Sequence, residues 1–217
     1  MDSTQQQFVV LGFIGGVGSG KSTVAKWLGN RLPIDVIDGD QLGHSALKQP
    51  EIKQELIERF GVGIIAQDGE IDRSHLGKLV WGSHAEAVQA RKDLERIVHP
   101  VIRKSMQDAV TQARRAGNWG IIIDAAVMIE AGWHNVCDKL IFIDTPDSHR
   151  LDHVISARNW SAEQWKQREN SQLGLDRKRE YADFVIDNSG SVEWSGQQLL
   201  TWLHQQFGWS IQENSKT

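Results

Sequence analysis

Residues 15–23 combine residue types and a spacing that could bind phosphate groups. They read Gly-Gly-Val-Gly-Ser-Gly-Lys-Ser-Thr and fit the pattern G-x-x-x-x-G-K-[ST]. Glycines let successive backbone N–H groups point at phosphate oxygens, and a following helix adds the positive end of its dipole. Lys21 could reach the β- and γ-phosphates, and the Ser22 hydroxyl could ligate Mg²⁺. We therefore predict a nucleotide-binding loop, because a turn without a ligand would need neither the Lys-Ser pair nor this spacing.

Apolar runs on both sides of this loop predict the elements that position it. Residues 8–14 are typical of a buried strand, and residues 24–28 of the first turns of a helix. Further strands are predicted at 34–37, 119–124, 139–144 and 182–187. Because helical segments separate these strands, we predict an α/β fold of the P-loop NTPase type, with a parallel sheet, right-handed crossovers and flanking helices.

The segments between the strands are predicted to be helical. Ser83 and Glu86 form a capping-box pattern that opens a helix over 85–97, and His99-Pro100 starts a separate helix that Gly117 closes. Thr145 is predicted to cap a polar helix, and Ser161 with Gln164 to open a second one. We predict three parts: a core from 1–44, 101–146 and 181–217, a helical insertion at 45–100, and a lid at 147–180.

Composition and charge exclude several classes of function. The 217 residues are 24% charged and 40% hydrophobic, which is ordinary for a globular protein. A net charge of −4 leaves no basic excess for nucleic acid, and the single cysteine, Cys137, excludes an intrachain disulfide and a cysteine metal cluster. No apolar run is long enough to span a membrane, and the N-terminal residues lack the basic start of a secretory signal. We expect a cytoplasmic enzyme with no nucleic-acid, membrane or obligate protein partner.

Carboxylates at the ends of two predicted strands are candidates for chemistry. Asp38 and Asp40 come after strand 34–37, which we expect beside the strand that leads into the phosphate loop. Ligands bind at the carboxyl ends of such strands, so Asp40 is our candidate for the base or hydroxyl-orienting group of phosphoryl transfer. The alternative is that Asp38 and Asp40 only cap the next helix. Asp124 ends its strand in the Walker-B manner and could hold Mg²⁺ through water.

Basic and histidine side chains are concentrated between residues 147 and 180. The basic side chains could close over ATP, or they could form a solvated face among almost as many acids. His149 and His153 have the four-residue spacing of metal ligands, but no third ligand lies nearby in the sequence, so we interpret them as exposed lid residues.

Five sequence blocks together resemble the dephospho-CoA kinase family over roughly residues 8–190. Two are the glycine-rich loop and Ile37-Asp38-Gly39-Asp40. The other three are Ile71-Asp72-Arg73-x-x-Leu76, Leu94-Glu95-Arg96-Ile97-Val98-His99-Pro100 and Ala182-Asp183-Phe184-Val185-Ile186-Asp187-Asn188-x-Gly190. The resemblance implies a P-loop core, a helical CoA-binding domain and a small lid. It also implies transfer of the ATP γ-phosphoryl to the ribose 3′-hydroxyl of dephospho-CoA, with Mg²⁺.

The resemblance also implies roles for particular residues. Asp40 and Lys21 would be catalytic, and Ser22 would ligate the metal. The acceptor side would be formed by Asp38, Asp40, Arg73, His99 and Glu130. ATP would be bound by Gly16, Gly18, Ser19, Gly20, Lys21, Ser22 and Thr23, with Arg150 or Arg158 from the lid and Asn188 near the adenine.

Departures from the family pattern leave some of these roles open. The usual Pro-Leu-Leu-Phe-Glu is Ala126-Val127-Met128-Ile129-Glu130 here, so only the glutamate is kept. Arg150 and Arg158 are eight residues apart where the family has lid arginines about four apart. The alternatives are a kinase for another small anionic acceptor such as a nucleoside monophosphate, a nucleotide-binding scaffold, or a regulatory GTPase. The GTPase hypothesis rests on the Asp-x-x-Gly pattern of Asp40–Gly43, and the chain has no guanine-reading Asn-Lys-x-Asp.

Overall fold

The computed structural model describes residues 7–82 and 84–211 and contains a five-stranded parallel sheet. The strands are β1 (Val9–Gly15), β2 (Ile34–Asp38), β3 (Gly120–Asp124), β4 (Lys139–Asp144) and β5 (Phe184–Asp187). Their order across the sheet is β2-β3-β1-β4-β5. The predicted α/β fold with a parallel sheet is confirmed.

The order of the strands corrects one expectation about the site. Strand β3 lies between β1 and β2, so the strand that ends in Asp38 does not neighbour the strand that leads into the phosphate loop. In the parallel register of β2 and β3, Asp38 is instead the partner of Asp124. Strands β2 and β3 therefore end side by side, with Asp124 on the strand nearer the loop.

Continuous apolar sequence places the middle strands in the core. Every residue of β1 and β3 is buried. Helix α1 (Lys21–Gly29) and helix α9 (Val192–Phe207) supply Leu28, Leu199 and Leu203 to the core cluster that covers the sheet, and each of these side chains is fully buried. Burying such a side chain contributes about 1.5–3 kcal/mol relative to leaving it in water. Strand β1, which leads into the phosphate loop, is therefore fixed by packing in the core.

Residues Gly39–Gln107 form a separate compact unit, and the described residues of Met1–Asp38 and Asp108–Thr217 form the other. The first contains α2 (Gly39–Ala46), α3 (Pro50–Phe60), a 3₁₀ turn (Val62–Ile64), α4 (Arg73–Val80) and most of α5 (Ala85–Arg115). The predicted insertion at 45–100 falls inside this helical unit, and its boundaries and substrate role stay predictions.

Helix α5 differs from the sequence expectation. One helix of 31 residues runs through Pro100, where two helices were predicted. Proline removes a backbone donor, but the apolar stripe continues on both sides of it through Val98, Ile102 and Met106, all buried. Packing along this stripe therefore outweighs the local preference of proline for a helix start. The predicted cap at Ser83 lies outside the described residues.

Three helices lie between β4 and β5, where two were predicted. They are α6 (Asp147–Arg158), α7 (Ala162–Asn170) and α8 (Leu175–Arg179). The capping box of Ser161 and Gln164 is confirmed at the start of α7. Thr145 does not cap α6, because Pro146 occupies the cap position and makes no side-chain hydrogen bond there. A second 3₁₀ turn covers Trp133–Val136.

Among residues 7–82 and 84–211, no helix is both long and apolar enough to cross a membrane.

Candidate active site

The loop between β1 and α1 has the backbone of an anion-binding nest. Gly18 and Gly20 have φ angles of +81° and +79°, values that L side chains rarely adopt. Gly20 precedes α1, whose first residue is Lys21, so the N–H groups of the first helical turn face the loop. Backbone donors and the helix dipole together attract a phosphate group. The structure thus provides the cradle that the sequence predicts.

Lys21 folds back across this loop. Its ammonium group donates to the carbonyl oxygen of Gly16 at 2.9 Å and to Ser19 Oγ at 3.3 Å, and the residue is 8% exposed. A buried ammonium that spans the mouth of the nest is placed where its charge can neutralise a phosphate. Its predicted catalytic role stays a prediction.

Ser22 and Asp124 meet at the edge of the sheet. The Ser22 hydroxyl donates a hydrogen bond to Oδ2 of Asp124, the last residue of β3, and this aspartate is 7% exposed. Asp38 ends the neighbouring strand in register with Asp124. Ser22 lies at the start of α1, and Asp124 and Asp38 lie at the ends of β3 and β2. This edge of the sheet therefore offers the oxygen atoms of one hydroxyl and two carboxylates.

Asp40 lies in the first turn of α2 and is exposed. An acid at this position also favours the helix through its dipole, so the capping alternative is still open. The Asp-x-x-Gly pattern falls inside the helix, because α2 covers Gly39–Ala46. A helical backbone there gives no support to the GTPase hypothesis.

Asn188 joins the end of β5 to the phosphate loop. Its amide donates to the carbonyl oxygen of Ser19 at 2.9 Å and to Thr145 Oγ1 at 3.1 Å. Thr145 Oγ1 also donates to the Ser19 carbonyl at 2.8 Å, and Ser195 Oγ donates to Asn188 Oδ1 at 2.6 Å. Thr145 is therefore used to support the loop instead of capping α6. Asn188 therefore borders the loop, and its contact with adenine stays a prediction.

The two candidate lid arginines have different surroundings. Arg150 is 2% exposed, and its guanidinium donates to Asp147 Oδ1 at 2.7 Å and Glu169 Oε1 at 2.6 Å. Arg158 is exposed, with its guanidinium carbon 5.0 Å from the ring centroid of Trp160. Arg150 also donates to the carbonyl oxygen of Val17 at 3.3 Å, so it packs against the loop, whereas Arg158 is exposed to solvent. Which of them meets ATP stays open.

His153, interpreted from the sequence as an exposed lid residue, contacts the phosphate loop. Its Nδ1 lies 2.9 Å from the carbonyl oxygen of Gly18. A carbonyl oxygen only accepts, so Nδ1 carries the proton in this contact. Within the part of the chain that the structure describes, no group of three or more His, Cys, Asp or Glu residues could hold a metal. His149 and His153 both lie on α6, and both are exposed.

Glu130 links the segment after β3 to the segment before α8. Its Oε1 accepts from the backbone N–H of Leu173 at 2.7 Å and lies 3.1 Å from the ammonium of Lys178. Lys178 is 2% exposed and also donates to Ala126 O at 3.0 Å and Gln172 Oε1 at 2.8 Å. Sequence reasoning missed this buried lysine because it stands among exposed charges, with no local signal to distinguish it. The acceptor role of Glu130 stays a prediction.

Arg73 and His99 lie in the helical unit. Arg73 is exposed at the start of α4, directly after Asp72, which caps the helix by accepting from the backbone N–H of His75 at 2.9 Å. His99 lies in the middle of α5, where burial lowers the pKa of its imidazole. Their approach to an acceptor stays a prediction.

The P-loop kinases have a sheet of this strand order, with the glycine-rich loop after the central strand. The loop and the Ser22–Asp124 pair of this chain fit that class of protein. Comparison with known proteins narrows the class. The sequence profile of the dephospho-CoA kinases matches residues 9–193, and the chain belongs to that family.

Two relatives named dephospho-CoA kinase agree with this assignment, and one solved structure shares the fold. The chain is 37% identical over 194 residues to the dephospho-CoA kinase of Latilactobacillus sakei, which covers 89% of this chain and 93% of the relative. It is 34% identical over 192 residues to the dephospho-CoA kinase of Bacillus licheniformis, covering 88% and 93%. The crystal structure of TT1252 from Thermus thermophilus matches with a TM-score of 0.74 and 27% identity, over 91% of this chain and 99% of that one.

Proposed function

We propose that this chain transfers the γ-phosphoryl group of ATP to the ribose 3′-hydroxyl of dephospho-CoA, which forms coenzyme A. Membership of the dephospho-CoA kinase family supports the two substrates. The observation that carries the chemistry is the phosphate loop, in which Lys21 spans the nest and Ser22 bonds to the buried Asp124. Phosphoryl transfer depends mainly on such positioning and charge neutralisation.

In this proposal, the phosphates of ATP bind in the nest formed by the loop between β1 and α1. Backbone N–H groups of residues 18–23 surround the β- and γ-phosphates, and the Lys21 ammonium neutralises the charge that moves toward the leaving oxygen. Its hydrogen bond to Gly16 O already holds the ammonium across the loop. Ser19, Thr145 and Ser195 fix the side chain of Asn188 beside the loop. Asn188 would contact the adenine in this proposal.

The oxygen atoms beside the loop fit Mg²⁺. This ion prefers hard oxygen ligands and is commonly held by one or two carboxylates together with substrate phosphates and water. Ser22 and Asp124 supply a hydroxyl and a buried carboxylate, and Asp38 stands next to Asp124 in the sheet register. Ser22 would hold the ion directly, with Asp124 holding it through water. Bound Mg²⁺ supplies positive charge to the β- and γ-phosphate oxygens.

Asp40 is the proposed catalytic carboxylate. Asp40 would orient the ribose 3′-hydroxyl and accept its proton as the phosphoryl group is transferred. In the helical insertion at 45–100, Arg73 and His99 would bind anionic and polar groups of the acceptor. Asp38 and Glu130 are further candidates for acceptor binding. Segment 147–180 acts as the lid and contributes Arg150 or Arg158.

The setting of the reaction is part of the same proposal. We place the chain in the cytoplasm, with small-molecule substrates and without a nucleic-acid, membrane or obligate protein partner. The net charge of −4 fits this setting.

A panel of acceptors tests the proposal. With Mg-ATP, we expect phosphorylation of dephospho-CoA but neither of its 3′-deoxy analogue nor of AMP, and phosphorus NMR should place the new phosphate on the 3′ oxygen. Equal or faster turnover of AMP would favour a nucleoside monophosphate kinase. Phosphorylation of the 3′-deoxy analogue would show that another hydroxyl is the acceptor.

A further inference from the structure

One side of the phosphate loop is covered by side chains from α6 and α7, and the key contact comes from Glu169. Its Oε2 accepts from the backbone N–H of Val17 at 2.9 Å, and its Oε1 accepts from Arg150 at 2.6 Å. Glu169 is separated from Val17 by 152 residues. Its two carboxylate oxygens therefore connect the loop, α6 and α7 at one point.

The carboxylate of Glu169 is needed to balance a buried cation. Arg150 is 2% exposed, and among the described residues its Nε has no hydrogen-bond partner. Within the described part of the chain, Arg150 has two carboxylate partners. The side chain of Asp147 is 78% exposed, whereas the side chain of Glu169 is 20% exposed. A buried charge without a close partner is strongly unfavourable, and water screens the exposed Asp147. Glu169 is therefore the main counter-ion of Arg150.

Both backbone polar groups of Val17 are engaged from the same side. Its N–H is bonded to Glu169, and its carbonyl oxygen accepts from Arg150 at 3.3 Å and from the Trp165 indole at 3.1 Å. These bonds fix the peptide planes that lead into Gly18, the first residue of the nest with a left-handed φ. A Cβ on Gly16 would overlap the Arg150 guanidinium, so a larger residue there would displace Arg150 from this contact.

The geometry points to Glu169 as a positioning residue for ATP. Through Val17 and Arg150, it holds the outer turn of the phosphate loop in the conformation that presents the nest. This inference rests on the proposed function, because it takes the nest as the site of the ATP phosphates. The charge of Glu169 is neutralised by Arg150, so the carboxylate acts as a support for the loop and not as a competitor of phosphate.

Binding of a non-hydrolysable ATP analogue, measured by calorimetry without acceptor, tests the inference directly. Glu169→Gln keeps the shape and one acceptor, and we expect it to weaken binding about five-fold. Glu169→Ala removes both bonds and should weaken binding about twenty-fold, the order expected for losing charge-assisted hydrogen bonds. Glu163→Gln, an exposed acid on the same helix, is the matched control and should change nothing.

Steady-state kinetics separate positioning from general damage to the fold. The KM for ATP should rise in parallel with the dissociation constant, while kcat and the KM for dephospho-CoA stay within about two-fold. Arg150→Met should weaken binding by itself, and combining it with Glu169→Gln should add little, because both changes break one contact.

Two results would overturn the inference. One is unchanged ATP binding in a Glu169→Gln variant whose cooperative unfolding shows that it is folded; the double variant, which also removes the buried charge of Arg150, gives the same test if the single variant does not fold. The other is tighter binding, which would mean that the carboxylate competes with phosphate. Failure of the parent protein to phosphorylate dephospho-CoA would remove the proposed acceptor but leave this comparison of ATP binding valid.

Discussion

Gly18 is the loop position where substitution has the most clearly defined consequence. Its φ of +81° costs an alanine about 1–2 kcal/mol. A Cβ there would also overlap the backbone oxygen of Arg150 and lie 2.9 Å from Val154 Cγ1. Because a backbone atom cannot move away as a side chain can, α6 must shift, at a cost of about 1–3 kcal/mol. We expect Gly18→Ala to destabilise the protein by about 2–5 kcal/mol in total.

Gly117→Ala is the matched control for backbone strain. Gly117 has a φ of +78°, and a Cβ at this position would meet no described heavy atom within 4 Å apart from its chain neighbours. This substitution therefore carries the strain of the left-handed region without the overlap, and should cost about 1–2 kcal/mol. The difference between the two variants, about 1–3 kcal/mol, measures the contact between the loop and α6.

Denaturant unfolding and ATP kinetics together check this prediction. Gly18→Ala should raise the KM for ATP about ten-fold or more, because small displacements of binding groups are costly. Gly117→Ala should leave that KM unchanged. Equal losses of stability in the two variants, with an unchanged KM for ATP in Gly18→Ala, would refute the close packing of α6 on the loop.

Three further predictions concern single side chains. Asp40→Asn should lower kcat about 100- to 10,000-fold with a smaller effect on the KM for ATP, and near-parental kcat would remove Asp40 as the base. Burial lowers the pKa of His99, so the unfolded state binds this proton more readily and stability falls as pH drops through the ordinary imidazole pKa. Between pH 7 and pH 5, the melting temperature of His99→Gln should therefore fall less than that of the parent. An identical fall would contradict the role of this burial. Burial, with the nearby charge of Asp138, raises the pKa of Cys137 to about 12, so iodoacetamide at pH 8 should label it far more slowly in the native than in the unfolded protein. Equal labelling rates would contradict this raised pKa.

The sequence predicts the sheet well where burial is continuous. Uninterrupted apolar runs mark β1, β3 and β4, and the glycine pattern marks the loop after β1. The order of the strands was only partly predictable, because periodicity identifies a strand but not its neighbour. The expected adjacency of β1 and β2 was wrong for this reason.

Contacts between distant residues were the part that sequence reasoning missed. Glu169 and Lys178 stand in charge-mixed segments that are typical of solvated helices, yet Lys178 is 2% exposed and Glu169 bonds to the loop. Similarly, Thr145 has the local signature of a helix cap but supports Ser19 instead. In each case tertiary packing decides which of several partners a polar side chain takes, and the local sequence does not contain that information.

Helix α5 shows the same limit for secondary structure. Local rules favour a helix start at Pro100, whereas the buried stripe on both sides of it continues one helix. The loss of one backbone hydrogen bond is offset by burial over many turns.

The central claim is tested most directly by ADP release from Mg-ATP in the presence and absence of dephospho-CoA. We predict release only when the acceptor is present, with one coenzyme A formed for each ADP. ADP release without the acceptor, or none with it, would contradict the assigned reaction and direct attention to the segment from Ala126 to Glu130, where the chain departs from the family pattern.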